Sequence, residues 1–267
     1  MRFNLWDARE QLCEIGKRLR LKNFVVSNDG NLSCRLDEDR ILATPTRISK
    51  GFMNPDDLVI VDPEGKQIGG HKKPTSELKL HLEVYRKRPD ISAVVHAHPP
   101  HATAFAIART DLPKCVLPEV EIFLGQIPIT DYATPGSAEF AKTVDPYIRD
   151  HYAFILASHG ALTLGEEPFD AYYKMETLDQ YCNILMLARQ IGEWKTLDYK
   201  SMQELFKVKE RMGIPEPRAN LSSPEDICSP GVCTTAPDDR KKDEGEKVLD
   251  RETLESIILE ILKQKEL

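Results

Sequence analysis

Leu5, Ala8, Leu12, Ile15 and Leu19 fall three and four positions apart, which is the spacing of one helix face and predicts a helix at the start of the chain. Short strand-like runs follow in NLSCRL, RILAT and DLVIVD, the last closed by an Asp-Pro-Glu-Gly turn. Residues 76–86 read as a helix, and 93–97 as a buried strand that runs into another helix from residue 99. A second buried strand is predicted over 153–157 and a long helix over about 169–191. Strands and helices are mixed without strict alternation, and no glycine-rich dinucleotide loop follows a strand. The pattern predicts an α/β fold in which helices cover a central sheet, rather than a doubly wound one.

The regular patterning stops near residue 213. Residues 214–247 are rich in Pro, Ser, Thr and charge, with almost no aromatic or branched side chains, and read as a flexible linker. Helical periodicity returns over 248–267, where Leu254, Ile257, Ile258, Ile261 and Leu262 share one face and Glu255, Glu260, Lys263 and Gln264 the other. So short a helix is marginal alone, so its apolar stripe calls for a partner surface: its own domain, an oligomer contact, or something further afield.

Composition mainly excludes. Across 267 residues, 41% are hydrophobic and 30% charged, as in ordinary globular proteins. A net charge of −7 lacks the basic face of a nucleic-acid binder, so no nucleic-acid partner is expected. No apolar run approaches the roughly 18 to 20 residues that span a bilayer, so no membrane partner is expected either. The opening MRFNLWDARE does not read as a signal peptide, and a cytoplasmic location follows. Among the six cysteines, Cys13, Cys34, Cys115 and Cys182 lie in apolar or periodic segments and read as reduced core thiols. Cys228 and Cys233 form a C-x4-C pair with no second pair, which is weak support for a metal site.

The strongest chemical signal is AVVHAHPPH. In a strand, residues i and i+2 point to one side, so His96 and His98 can face one metal ion. Metals of the zinc type take two or three neutral imidazoles and keep a position open for substrate. A third ligand has to come from His71, His81, His101, His151 or His159. His159 ends the apolar run AFILA in Ser-His-Gly, a strand end like that around His96. His101 lies one helical turn past His98 and reads as core or as a support for the site. His71 and His151 sit in charged surface text. His81, four residues after Glu77 on the same helix face, can be satisfied by that carboxylate.

Six segments in order, DGNLS, ATPTR, KPTSELKLH, VVHAHPPH, DYATPG and ASHG, carry a resemblance to the class II aldolase/epimerase family over about residues 5–213. That family includes fuculose-phosphate aldolases and ribulose-phosphate 4-epimerases. The resemblance implies a mostly antiparallel sheet covered by helices, a sandwich it shares with adducin-like proteins. It implies one Zn²⁺ per subunit, held by His96, His98 and His159, with Glu77 as general acid/base and as a ligand when substrate is absent. It implies a phosphate cradle of Gly30, Asn31, Thr46, Thr75 and Ser76, to which Arg47 adds a charged arm where many relatives have glycine. The expected reaction is retro-aldol cleavage of a ketose 1-phosphate, with 4-epimerisation, dehydration or a non-catalytic adducin-like role as alternatives. A homotetramer is also implied. Fuculose-phosphate aldolases place a proton-donating tyrosine in the segment that corresponds to LPKCVLPEVE. Here Leu117 stands nearest that position, and Tyr132 is a candidate substitute. The tail at 248–267 looks like the encapsulation peptides that load enzymes into bacterial microcompartments, which would make shell proteins a partner and the compartment lumen a location.

Overall fold

The computed structural model describes residues 3–221, 227 and 228. The linker beyond Cys228 and the helix expected over 248–267 lie outside the described residues.

The first helix, α1 (Leu5–Leu21), starts where Asn4 accepts the Trp6 backbone N–H, and buries the predicted stripe of Ala8, Leu12, Ile15 and Leu19. Seven strands follow in chain order: β1 (Asn31–Arg35), β2 (Ile41–Ala43), β3 (Val59–Val61), β4 (Gln67–Gly69), β5 (Ala93–Ala97), β6 (Ala153–Leu156) and β7 (Gly160–Gly165). They form one sheet in the order β4-β3-β2-β1-β5-β7-β6, with every neighbouring pair antiparallel. The interleaved helices are α2 (Leu78–Lys87), α3 (Pro100–Ala108), α4 (Pro118–Phe123), α5 (Ala138–Lys142), α6 (Pro168–Ile191) and α7 (Tyr199–Arg211). This is the helix-covered α/β sheet that the patterning predicts.

Side-chain alternation assigns the two faces. Leu32, Cys34, Ala93, Val95 and Ala97 join α1, α3 and α6 in one core cluster. Val94, Phe154, Leu156, Leu162 and Leu164 join α2 and α5 in the other. The odd-numbered β1 residues and the even-numbered β5 residues therefore share the α2 side, and Asn31 stands in register opposite His96.

Two expectations need correction. Cys115 is not a free thiol, because it is disulfide-bonded to Cys228. The chain also does not leave the body at Ile214. Arg218 is buried and pairs with Glu121 at 2.7 Å and with Glu216 at 2.8 Å, while Lys209 reaches Glu216 at 2.7 Å. Ile227 is fully buried with Cys115, Met202 and Phe206. A polar, proline-rich composition concealed these contacts because they rest on charge pairing and a cross-link rather than on apolar area.

Candidate active site

The site forms where three backbone features meet. His96 is the last-but-one residue of β5, and His98 follows that strand, its backbone N–H donating to the Phe24 carbonyl at 2.8 Å. His159 lies in the tight turn between β6 and β7, where its N–H donates to the Leu156 carbonyl. Gly160 makes this packing possible, since a Cβ there would lie 2.6 Å from both the Ala97 carbonyl and the His98 ring. Glu77 caps α2, which begins at Leu78 rather than at residue 76.

The structure brings His96, His98, His159 and Glu77 together. His96 Nε2 lies 3.2 Å from His98 Nε2 and 3.1 Å from His159 Nε2. Glu77 Oε1 is 3.1 Å from His159 Nε2, and Oε2 is 3.3 Å from His96 Nε2. The Nδ1–H of His96 donates to the Ala161 carbonyl at 2.8 Å, which fixes the tautomer and leaves Nε2 bare toward the cluster. Burial pushes the His96 pKa down to about 3, with His98 and His159 adding to the shift against Glu77, so the imidazole rests in its neutral form. Burial and the neighbouring His159 lower His98 in the same direction. Burial acts to raise the Glu77 pKa, but His96, His159 and the Asn31 amide outweigh it and keep the carboxyl ionised. Three imidazole nitrogens facing one another at this range, with an ionised carboxylate beside them, are the donor set a divalent metal takes once it displaces their protons. Among the described residues, the three histidines form the one group able to hold such an ion.

The other histidines go elsewhere. His101 donates from Nδ1 to Asp179 at 2.8 Å, tying α3 to α6. His71 is exposed, as expected. His151 is half-buried rather than exposed, and its Nδ1–H donates to the Tyr147 carbonyl. His81 is fully buried but does not bond Glu77, because its nitrogens engage Asn31 and Ser33 instead.

The expected phosphate residues lie on three adjoining segments. Thr75 N–H donates to the Thr44 carbonyl, Thr46 N–H to the Lys73 carbonyl, and Pro45 bridges Pro74 antiparallel, so the segment with Thr46 pairs with the one before Ser76, Thr44 opposite Thr75 and Thr46 opposite Lys73. The Asn31 side chain donates to Glu77 at 2.7 Å and brings the loop containing Gly30 alongside. Arg47 and Ser76 are exposed, and Thr75 is buried. Arg47 sits at φ +59°, a backbone conformation that favours glycine. Buried Lys50, which the sequence did not single out, joins two of these loops through the Asn28 carbonyl at 2.9 Å and the Ile48 carbonyl at 2.7 Å. Leu117 packs against the core as the cap of α4, and Tyr132 is exposed.

Residues 10–186 match the model of the class II aldolase and adducin N-terminal domain family. The chain belongs to that family. It is 37% identical over 172 residues to an L-fuculose phosphate aldolase of Methanococcus maripaludis, a match covering 64% of this chain and 92% of that protein. It is 32% identical to a 3-oxo-tetronate 4-phosphate decarboxylase of Haemophilus influenzae, covering 64% of this chain and 83% of that one. A solved L-fuculose 1-phosphate aldolase superposes with a TM-score of 0.71 at 28% identity, over 78% of this chain and 97% of the other. The chain is a class II aldolase in family and in fold, with a three-histidine cluster able to hold a metal ion. No helix among its described residues is long and apolar enough to cross a membrane.

Proposed function

We propose that this class II aldolase binds one zinc ion and cleaves L-fuculose 1-phosphate to dihydroxyacetone phosphate and lactaldehyde. The convergence of three imidazole Nε2 atoms, those of His96 and His159 touching the Glu77 carboxylate, carries this reading, with contacts of 3.1 to 3.3 Å. A tetrahedral zinc site with bonds of about 2.0–2.1 Å has edges of about 3.3–3.4 Å, so the imidazoles need move little to hold it. Bound zinc supplies the positive charge that a developing enediolate needs.

The chain's own residues do the rest. Retro-aldol cleavage takes the proton from the C4 hydroxyl and breaks the C3–C4 bond. The electron pair stays on C3, and a proton then returns to that carbon. Glu77, touching His96 and His159 and ionised at rest, is the group we assign to deliver that proton to C3 after first taking one up. Gly30, Asn31, Thr46, Thr75 and Ser76 supply short donors for the phosphate, with Arg47 as a charged arm.

One observation favours a second reading. The segment from Leu112 to Glu121 holds no tyrosine to manage the C4 hydroxyl proton. Decarboxylation of a 3-oxo-acid phosphate, the activity named for relatives of 32% and 30% identity, also leaves an enediolate but releases carbon dioxide and needs no such donor. Incubating the zinc-loaded protein with both substrate types separates the two. Aldehyde from L-fuculose 1-phosphate supports the aldolase; carbon dioxide from the 3-oxo-acid phosphate, with no aldehyde from any ketose 1-phosphate, replaces it.

Two further assignments belong to the same reading: a homotetramer, and encapsulation through residues 248–267. Light scattering tests the first. Deleting 248–267 tests the second, since undiminished co-purification with shell proteins rejects it.

A further inference from the structure

Behind Glu77, on the α2 side of the sheet, Asn31 opens a chain of buried polar groups whose further members neither metal binding nor phosphate binding uses. Asn31 Nδ2 donates to Glu77 Oε2 at 2.7 Å, and Asn31 Oδ1 lies 2.6 Å from His81 Nε2. His81 Nδ1 lies 2.6 Å from Ser33 Oγ, which in turn lies 2.7 Å from the Tyr85 hydroxyl. Asn31, Ser33, His81 and Tyr85 are all at most 5% exposed.

Their chemistry sets the direction of every bond. The Glu77 carboxylate only accepts, so Asn31 must turn its NH₂ toward it, leaving Oδ1 toward His81. That oxygen only accepts, so His81 carries its proton on Nε2. The bare Nδ1 then accepts from the Ser33 hydroxyl, whose oxygen accepts from Tyr85. Each group has one consistent role.

We propose that His81 is a positioning residue for the proton step: by holding Oδ1 of Asn31, it keeps the Asn31 amide turned toward Glu77. Without that hold the amide is free to flip, which would set an oxygen against the carboxylate and release it. Glu77, His81 and Tyr85 are spaced i, i+4, i+8, so α2 aims all three at the sheet, where Asn31 and Ser33 alternate inward on β1. This inference rests on the assignment of Glu77 as the acid/base, and the test separates the two.

The test compares His81→Leu, which removes both bonds, with His81→Gln, whose amide N–H still donates to Asn31. In zinc-loaded full-length protein, deuterium wash-in from D₂O into dihydroxyacetone phosphate isolates the proton step. His81→Leu should slow wash-in by roughly 10- to 100-fold, the scale of a small misplacement of a catalytic group. KM and zinc content should stay near wild type, and His81→Gln should regain most of the rate. In metal-free protein, the Asn31 side-chain NH₂ resonances should exchange slowly in wild type and His81→Gln, and quickly in His81→Leu. Wash-in within twofold of wild type in His81→Leu overturns the inference, as does an unchanged Asn31 signal. If His81→Leu does not fold, equal loss of wash-in and of slow exchange in His81→Gln overturns it. No wash-in by wild-type protein, with the Asn31 signals as expected, rejects the role of Glu77 and leaves the hydrogen-bond chain standing.

Discussion

Replacing Gly30 with alanine tests whether the loop before β1 is built around the metal site. Gly30 sits at φ +69°, and an added Cβ would lie 2.6 Å from Val25 Cγ1 and 2.9 Å from the His96 carbonyl oxygen. The left-handed backbone costs a non-glycine residue about 1–2 kcal/mol. Overpacking adds about 1–3 kcal/mol, and because the second contact is backbone, little of it can relax by a rotamer change. Together these amount to about 2–5 kcal/mol, which for a protein of this size lowers the melting temperature by the order of 10 °C. The strain falls on the strand that carries His96, so zinc affinity should drop as well. Urea denaturation of the metal-free protein reads the first effect, and competition with a chelator reads the second. A loss below about 1 kcal/mol, the ordinary size for an unexceptional substitution, with unchanged zinc affinity, would refute this account of the loop.

Two further predictions concern the segment after α7. Burial opposes ionisation of Glu216, but hydrogen bonds from Arg218 and Lys209 outweigh it and hold the carboxyl at about 2, below its ordinary 4.5. Such a depressed carboxylate stabilises the fold above the unfolded-state value and loses that contribution as pH falls from 4.5 toward 2, at most about 3 kcal/mol. Melting curves should therefore fall more steeply in acid for wild type than for Glu216→Gln; parallel curves count against the network. The Cys115–Cys228 bridge spans 113 residues, and its reduction should cost about 4–5 kcal/mol by loop-closure entropy. Chemical denaturation with and without dithiothreitol reads this directly, and identical midpoints reject it.

What the sequence revealed follows where its signals are local. The helix face of α1 and the strands carrying His96 and the two motif loops were legible because side-chain spacing alone encodes them. The brief elements β4, α4 and α5 were not, because each gains its order from packing, and β7 and α7, six and 13 residues long, were missed as well. His96 and His98 declared themselves by period two, whereas His159 needed the flanking motifs, since the fold alone joins residues 63 apart. His81 was matched to Glu77 by helix spacing, but that spacing cannot show that Asn31 comes between them from another strand. Cys228 drew attention to its neighbour Cys233 when its partner was Cys115, and Lys50 carried no signal because its two bonds go to backbone carbonyls.

His96, His98 and His159, with Glu77, are proposed to form a single zinc site. Measuring zinc by mass spectrometry in the purified protein and in His159→Ala tests it most directly. About one zinc per chain in wild type, and almost none after the substitution in a protein that keeps its circular dichroism, is the predicted result. Equal zinc in both proteins, or none taken up by wild type, would contradict it.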